Sequence, residues 1–496
     1  MLYCDLTLFS TALQNGSGDR PAGAFIECRA KKECPTMKIA PADRPNIIFI
    51  VADDLGYADL GCYGGRAPVS PVLDALAERG IRFDQGYANS PVCSPTRFAL
   101  MTVRYQYHLR GAAEEPINSK SRGSAELGLP ADCPTLPSRL RAAGYRTALV
   151  GKWHLGYPPT FGPLKSGYDE FFGPMSGGVD YFTHCDTGGT HDLWQSSEPV
   201  TEDGYLTDLF SRKAVDFIER AAPAADATPF FLSLHYTAPH WPWETRDDQD
   251  MAMSQELRAN LFHHGGGNIH AYRKMIHHMD EGIGWIVDAL KKKGLLDNTL
   301  IVFTSDNGGE RFSDNWPLVG GKLDLTEGGI RVPWIAHWPA VIAAGRQSAQ
   351  QCMTMDWSAT MLDAAGILPR GATSASSAID ESETPIDPDS TLDGVSLLAV
   401  LRGTEPPFRR RLHWRMKHRG QRALRDGDWK YLRVDGHDYL FNLAEDERER
   451  ANRATHQPLL LDAMRADWEA WNATMPEIPA DASVLPGYSA KDMPQR

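Results

Sequence analysis

Uninterrupted apolar runs and segments of helical periodicity alternate along the chain. Four runs show no polar alternation: NIIFIVA (46–52), TALVG (147–151), PFFLSLHY (229–236) and TLIVFTS (299–305). Strands buried on both faces of a parallel sheet have this pattern, because neither face meets water. Helical segments separate the runs, most clearly at 205–222 and 269–293, where apolar residues recur on one stripe. The alternation predicts an α/β fold, with a large, mostly parallel sheet flanked by helices.

The chain divides into three predicted parts. Residues 1–44 mix polar, glycine, proline and cysteine residues without periodicity, which indicates a mobile N-terminal extension. Residues 45–400 form the predicted α/β domain, and a stretch rich in Ser, Thr, Asp and Pro at 370–392 predicts a surface loop within it. Residues 401–496 predict a small α+β subdomain with an antiparallel sheet and a terminal helix.

Composition narrows the class of protein. The 496 residues carry a formal net charge of −13 and no extended run of Lys and Arg, which argues against nucleic acid or an anionic membrane as partner. The eight cysteines form no CxxC pair, as expected of free thiols in a reducing compartment. No apolar run approaches the roughly 20 residues that span a bilayer, and the N-terminus lacks the basic segment of a secretory signal. These features predict a cytoplasmic protein and leave its oligomeric state open.

Polar side chains follow each of the four predicted strands. Open α/β sheets build their ligand sites at the carboxyl ends of parallel strands, so these side chains are expected to lie at one edge. They are Asp53 and Asp54 after the first run, Lys152 and His154 after the second, His235 and His240 with the third, and Asp306 and Asn307 after the fourth.

Asp53, Asp54, Asp306 and Asn307 offer only oxygen ligands. Such a set suits a hard cation, Ca²⁺ or Mg²⁺, better than zinc or copper. Either pair alone could simply cap the helix or turn that follows it. Both pairs at one sheet edge favour a metal site.

The stretch CSPTR (93–97) places a cysteine between two prolines, immediately before an apolar helical segment. Pro95 fits the first turn of a helix, so Cys93 is predicted at a helix N-terminus, beside unpaired N–H groups and the positive end of the helix dipole. Arg97, one turn further, can reach the same point. A plain cysteine in this setting is expected to be a nucleophile of low pKa.

The chain resembles the sulfatase family of the alkaline-phosphatase-like superfamily. CSPTR fills every fixed position of the family signature C-x-P-x-R. Further motifs occur in family order: VADDLG (51–56), GKWHLG (151–156), APHWP (238–242), SDNGG (305–309) and GGKLDLTEGGIRVP (320–333). One departure is Val103, where the family usually has glycine. The departure concerns the packing of the helix after the nucleophile.

The resemblance implies that a separate maturation enzyme oxidises Cys93 to formylglycine. The hydrated aldehyde carries two hydroxyls. One attacks sulfur and the ester's alcohol leaves; the second then collapses to the aldehyde and expels sulfate. The family roles, transferred by position, make Asp53, Asp54, Asp306 and Asn307 metal ligands together with modified Cys93. Ca²⁺ is favoured and Mg²⁺ remains open.

The resemblance also implies roles for the charged groups around the predicted metal. Arg97 would hold the diol, and Lys152 and Lys322 would bind sulfate oxygens. His154 matches the residue that takes the proton when the diol collapses, and His240 matches the acid near the leaving oxygen. His235 is the weaker candidate, because it could equally face a helix.

The expected reaction is hydrolysis of an organic sulfate monoester, as in arylsulfatases, to an alcohol and inorganic sulfate. The alcohol, either a carbohydrate or an aryl or alkyl group, depends on loops such as 160–195, 241–270 and 311–319. A phosphonate monoester or phosphodiester hydrolase is the alternative within the superfamily, although those enzymes tend to have histidine in place of Asn307. A non-catalytic binding protein on the same scaffold is the alternative from another class.

Overall fold

The computed structural model describes residues 44–220, 228–249, 266–368 and 392–485. Except for Arg44 and Leu392, the predicted N-terminal extension and the predicted loop at 370–392 lie outside these ranges. Within the described ranges, no helix is both long and apolar enough to cross a membrane.

A large sheet of ten strands organises the molecule, and a pair of short strands and a four-stranded sheet accompany it. The strands, in chain order, are β1 (Asn46–Ala52), β2 (Ile81–Phe83), β3 (Gly86–Tyr87), β4 (Arg146–Gly151), β5 (Glu170–Gly173), β6 (Trp194–Gln195), β7 (Glu198–Pro199), β8 (Phe230–His235), β9 (Thr299–Ser305), β10 (Trp334–His337), β11 (Arg346–Ser348), β12 (Cys352–Met353), β13 (Arg411–Arg415), β14 (Arg422–Asp426), β15 (Trp429–Val434) and β16 (His437–Asn442).

The ten-stranded sheet has the order β11-β2-β10-β9-β1-β8-β4-β5-β6-β7. Its central strands β9, β1, β8, β4 and β5 are parallel. Antiparallel pairing begins at β10 on one side and at β6 on the other. The four apolar runs are β1, β4, β8 and β9, so the predicted mostly parallel sheet is confirmed.

Helices cover both faces of this sheet, and the last helix in the chain packs on the four-stranded sheet instead. In chain order the helices are α1 (Pro71–Glu78), α2 (Cys93–Thr102), α3 (Leu136–Ala142), α4 (Leu206–Glu219), α5 (Ile269–Lys293), α6 (Glu327–Ile330), α7 (Thr354–Ala364), α8 (Leu398–Arg402) and α9 (Pro458–Asn472). Short 3₁₀ helices connect them at Gly61–Tyr63, Gln106–His108, Arg110–Ala113, Ser119–Ser121, Pro163–Ser166, Arg246–Asp248, Leu296–Asn298 and His418–Gly420.

Strand β1 shows why the apolar runs lack alternation. Ile48 and Ile50 pack in a core that includes residues of α1, α4 and α5. Ile47 and Phe49 point to the opposite face, where α2, α3, α7 and α8 contribute a second core. Because both faces are covered, every residue of β1 is buried.

The C-terminal sheet is antiparallel, in the order β13-β14-β15-β16. Helix α9 covers one face, where Met464 and Trp468 pack against Tyr431. The other face packs against the main domain, where residues such as Trp414 share a core with Leu325. The sheet therefore forms part of the support for the segment around Leu325.

Candidate active site

The carboxyl ends of the central strands bring the predicted acidic side chains together. Asp53 and Asp54 follow β1, and Asp306 and Asn307 follow its neighbour β9. The amide of Asp54 donates a hydrogen bond of 3.3 Å to Asp306 Oδ1, which ties the two strand ends to each other. All four side chains are buried.

Cys93 is the first residue of α2 and faces this acidic group. Its Sγ lies 3.4 Å from Asp53 Oδ1 and 4.0 Å from Asp54 Oδ1. Ligand atoms of Asp53, Asp54, Cys93 and His240 all lie within 4.8 Å of one another. The structure therefore assembles a compact group of potential metal ligands at the helix N-terminus.

Three cationic side chains balance the carboxylates. Arg97 donates to Asp306 Oδ2 from Nε at 3.1 Å and from a terminal nitrogen at 2.8 Å. Lys152 Nζ donates to Asp53 Oδ2. Lys322, from the loop after β9, donates from Nζ to Asp54 Oδ2 at 2.7 Å. Each carboxylate is thus paired with at least one cation, which offsets the cost of burying it.

The oxygen atoms present fit a hard cation. Asn307 donates from Nδ2 to Asp54 Oδ1 at 2.7 Å, which fixes its amide group. Its Oδ1 is buried and accepts no hydrogen bond from the described residues. Buried acceptors normally have a partner, so an oxygen left without one beside three carboxylates matches the ligand preference of Ca²⁺ or Mg²⁺.

The two acidic strand ends differ in their pKa values. Burial acts to raise the pKa of Asp54, but the positive charges around it, led by Lys322, lower that pKa to about 2. For Asp306, burial and the negative charge of Asp53 outweigh Arg97 and raise the pKa to about 6. Asp54 is therefore fully ionised at neutral pH, as a metal ligand must be.

The expectation of a low-pKa thiol at Cys93 is wrong. Burial raises the pKa of Cys93 well above its usual value, against the lowering effects of Lys152 and Lys322, and Asp306 and Asp53 add to the rise. The position at the start of a helix is as predicted, but the loss of water and the nearby carboxylates outweigh the helix dipole. Unmodified Cys93 is a protonated thiol and a poor nucleophile.

His154 follows β4 in a left-handed backbone conformation, with φ of +58°. Its Nε2 donates to the carbonyl of Ile117 at 2.7 Å, while Nδ1 has no partner among the described residues. Burial and the charge of Lys152 hold the pKa of His154 well below its usual value. The ring is neutral, with a lone pair on Nδ1 that can accept a proton.

His240 lies on the other side of Asp54. Its Nδ1 donates to the carbonyl of Trp241 at 2.6 Å, and its Nε2 lies 3.5 Å from Asp54 Oδ2. Burial and the charge of Lys322 lower the pKa of His240 to about 3, so the ring is neutral as the structure stands. His235 instead lies behind Arg97, with Nδ1 3.2 Å from the guanidinium.

One pocket exposes this group of side chains to substrate. Cys93, His154, His240 and Lys322 contribute to its wall. Sequence reasoning missed Pro116, Ile117, Asn118, Ser119, Tyr157 and Glu310 in this wall, which also includes Ser176, Gly177, Gly178, Asp186 and Thr187. Residues 176–178 and 186–187 fall within a loop that the sequence marked as a specificity loop. The segment 116–119 carried no signal in its sequence.

The fold is that of the alkaline-phosphatase-like hydrolases. Within that class, the chain belongs to the sulfatase family, whose model, described as Sulfatase, matches residues 45–367. The resemblance seen in the sequence is confirmed. Members of this family hydrolyse sulfate esters.

Similar proteins include sugar and aryl sulfatases. The N-acetylgalactosamine-6-sulfatase of Sus scrofa is 33% identical over 73% of this chain and 68% of its own. Arylsulfatase A of Homo sapiens is 30% identical over 88% of this chain and 84% of its own. The crystal structure of Ps i-CgsB in complex with k-i-k-neocarrahexaose superposes with a TM-score of 0.75 at 32% identity, covering 89% of this chain and 95% of that one.

Proposed function

We propose that this protein hydrolyses a sulfate monoester of a carbohydrate, with Cys93 converted to formylglycine and Ca²⁺ bound at the ends of β1 and β9. The observation that carries the proposal is the pocket itself. The group formed by Cys93, Lys322 and His240 lines the same pocket as Asn118, Ser119 and Thr187, whose polar side chains can bind hydroxyl groups.

Asp53, Asp54, Asp306 and Asn307 would hold the cation, with modified Cys93 beside them. The bound cation would polarise sulfate oxygens and favour ionisation of the nucleophilic hydroxyl. The support for this assignment is the set of buried oxygen atoms described above, including the unpartnered Oδ1 of Asn307. Mg²⁺ would use the same ligands, and the gain in melting temperature that each ion gives to metal-free protein distinguishes the two ions.

Conversion of Cys93 to formylglycine would supply a hydrated aldehyde as the nucleophile toward sulfur. A thiol whose pKa is raised by burial and by neighbouring carboxylates cannot fill that role at neutral pH. The conversion requires a maturation enzyme that acts on CSPTR. Since Cys93 is buried in the folded chain, that enzyme would act before folding is complete.

The chain's own side chains would bind the sulfate group and move protons. Lys322 and Lys152 would bind its oxygens, and Arg97 would hold the hydrated side chain at position 93. His154 would accept a proton at Nδ1, the nitrogen without a partner among the described residues. His240 would donate from Nε2 to the leaving oxygen, and the negative charge of the bound sulfate favours the protonated ring that this step needs.

Gly177 allows His154 to occupy its position. A Cβ at residue 177 would lie 2.3 Å from His154 Cε1 and 2.4 Å from Nε2, so alanine must displace the ring. We expect Gly177→Ala to lower kcat for sulfate release about 10²-fold, because the base is misplaced. Gly188→Ala is the control, since its Cβ would meet only Asp186 Oδ1, at 3.3 Å. Equal kcat values in Gly177→Ala and Gly188→Ala would refute the role of His154 as the proton acceptor.

The carbohydrate assignment is supported by the pocket mouth and by the similar proteins. Trp241 offers aromatic surface in the same pocket wall as the polar side chains of Ser119 and Thr187, a combination that suits a sugar ring. The similar proteins include an N-acetylgalactosamine-6-sulfatase, and the crystal structure of Ps i-CgsB is of its complex with a neocarrahexaose.

Substrate comparison tests the carbohydrate assignment. We expect sulfate release from N-acetylgalactosamine 6-sulfate or from sulfated carrageenan oligosaccharides with a higher kcat/KM than from 4-nitrophenyl sulfate. Trp241→Ala is expected to lower kcat/KM about tenfold for the sugar and to change it little for the aryl ester, through loss of ring contact. Trp316→Ala, at an exposed tryptophan outside the pocket wall, is the matched control. Turnover of the aryl ester alone would refute a carbohydrate substrate.

A further inference from the structure

Lys322 reaches the active site from a segment that the strand ends do not fix by themselves. We call residues 319–331 the lysine loop. The backbone of Lys322 donates to Gly309 O at 3.1 Å, and that of Leu323 donates to Pro91 O at 2.9 Å. Leu323 has a φ of +76°, a left-handed conformation that residues other than glycine rarely adopt. Such a conformation persists only where surrounding contacts impose it.

Gln421, which immediately precedes β14 of the C-terminal sheet, supplies those contacts. Its Nε2 donates to Leu323 O at 2.8 Å, and its Oε1 accepts from the amide of Leu325 at 2.9 Å. The side chain is 1% exposed, so water does not compete for these bonds. One amide group thus holds the backbone immediately after Lys322 by both its donor and its acceptor.

The same sheet anchors the end of the lysine loop through buried charges. Lys430 on β15 contacts Glu327 at 3.0 Å and Glu449 at 2.8 Å, and the side chains of all three are at most 1% exposed. Glu449 Oε2 accepts from the amide of Glu327 at 2.6 Å. Tyr87 donates to Glu327 Oε2 at 2.9 Å. Because an unpaired buried charge is costly, this network fixes where the loop ends.

We propose that Gln421 is a positioning residue for Lys322, so that the C-terminal sheet determines the geometry of sulfate binding although it contributes no group to the pocket wall around Cys93. The inference rests on the proposed function, in which Lys322 binds sulfate. Gln421 holds the carbonyl of Leu323 and the amide of Leu325. Lys322, between these bonds and its own bond to Gly309, keeps its ammonium group against Asp54.

A matched pair of variants separates positioning from general stability. Gln421→Met keeps the volume and removes both bonds to the lysine loop. Gln350→Met is the control, because Gln350 is also fully buried and holds the backbone of Phe408 in the same way, through bonds of 3.1 and 2.7 Å. We expect the melting temperature to fall by a similar amount in Gln421→Met and in Gln350→Met. We expect kcat/KM for 4-nitrophenyl sulfate to fall 10- to 100-fold in Gln421→Met and to stay at the wild-type value in Gln350→Met.

A double-mutant cycle with Lys322→Met tests whether Gln421 acts on kcat/KM through Lys322 or only through the stability of the fold. Lys322→Met alone is expected to lower kcat/KM by about 10²–10³. If Gln421 acts through Lys322, adding Gln421→Met to that variant should cost less than twofold. A loss as large as in the wild-type background, or equal activity of the two glutamine variants, would overturn the proposal.

Hydrogen exchange of the backbone amides reports the contact between Gln421 and the lysine loop independently of turnover. Mass spectrometry should show that the backbone amides of peptides covering 319–331 exchange faster in Gln421→Met than in wild type. In Gln350→Met the exchange rate of the same peptides should equal that of wild type. Unchanged exchange in Gln421→Met would also overturn the proposal. A wild-type protein without sulfatase activity, whose lysine loop nevertheless loosens in Gln421→Met, would refute the proposed function and leave Gln421 as the residue that holds Lys322.

Discussion

Replacing Cys93 by alanine or serine is expected to abolish sulfate ester hydrolysis and to leave the fold intact. The nucleophile of the proposed reaction is made from this side chain, so its loss should lower kcat by at least about 10⁴-fold. Cys93 is buried at the start of α2, and its Sγ makes polar contacts to Asp53 and Asp54. Removing it leaves a small space beside polar groups and no unpaired charge.

The control for this prediction is Cys352→Ala. Cys352 is also a fully buried free thiol, but it packs in the core beneath α7 and away from the pocket. It should retain wild-type turnover, with a melting temperature within a few degrees of that of Cys93→Ala. The mass of the wild-type peptide that contains residue 93 should show the aldehyde, which hydrazides capture. Turnover by Cys93→Ala equal to that of wild type would refute the formylglycine mechanism.

The central strands could be predicted because their sequences record burial on both faces. β1 and β9 have the predicted bounds, 46–52 and 299–305. β4 begins one residue earlier than predicted, and β8 is one residue shorter than predicted at each end. The strands β6 and β7 at the edge of the sheet have no comparable pattern in the sequence. β6 and β7 have two residues each, and they pair because the loop after β5 folds back onto the sheet.

The clustering of the acidic and basic side chains of the candidate site could be predicted from the sequence, because parallel strands end at one edge. The electrostatic environment of Cys93 could not be predicted. The sequence places Cys93 at a helix N-terminus, and that feature stabilises an anion by about 0.3–1 kcal/mol, up to ~2 kcal/mol in partly buried sites. The packing that removes water from Cys93 depends on residues far along the chain, and its effect on the thiol is larger and opposite.

Long-range contacts also explain why Gln421 escaped sequence reasoning. The lysine loop and Gln421 are about a hundred positions apart, and a buried glutamine before a strand has no pattern of its own. Val103 is a related case. It ends α2 in a left-handed conformation, with φ of +61°, which gives a backbone reason for the glycine usual in the family. The sequence showed the departure, and only the structure shows the conformation involved.

Replacing Asp54 by asparagine is expected to remove the response of the protein to Ca²⁺. A ligand that binds only the folded state stabilises it by about 2.7 kcal/mol at a concentration 100 times its Kd. Wild-type protein stripped with a chelator should therefore gain several degrees in melting temperature when Ca²⁺ is added, and a larger gain with Ca²⁺ than with Mg²⁺ would identify the ion. In Asp54→Asn the gain should vanish and kcat/KM should fall by at least about 10³-fold, because the ionised carboxylate between Lys322 and Asn307 is lost.

Asp59→Asn provides the matched control for this second prediction. Asp59 is a buried carboxyl five positions away, and burial raises its pKa to about 7 against the hydrogen bonds that it accepts from Tyr272 and from the backbone of Asp314 and Gly56. It supports the loop after β1 without facing the potential metal ligands. Asp59→Asn should therefore lower the melting temperature of the metal-free protein but keep the gain on addition of Ca²⁺. If Asp54→Asn keeps that gain as well, the cation binds elsewhere, and the acidic group at the ends of β1 and β9 serves only to pair with Lys152, Lys322 and Arg97.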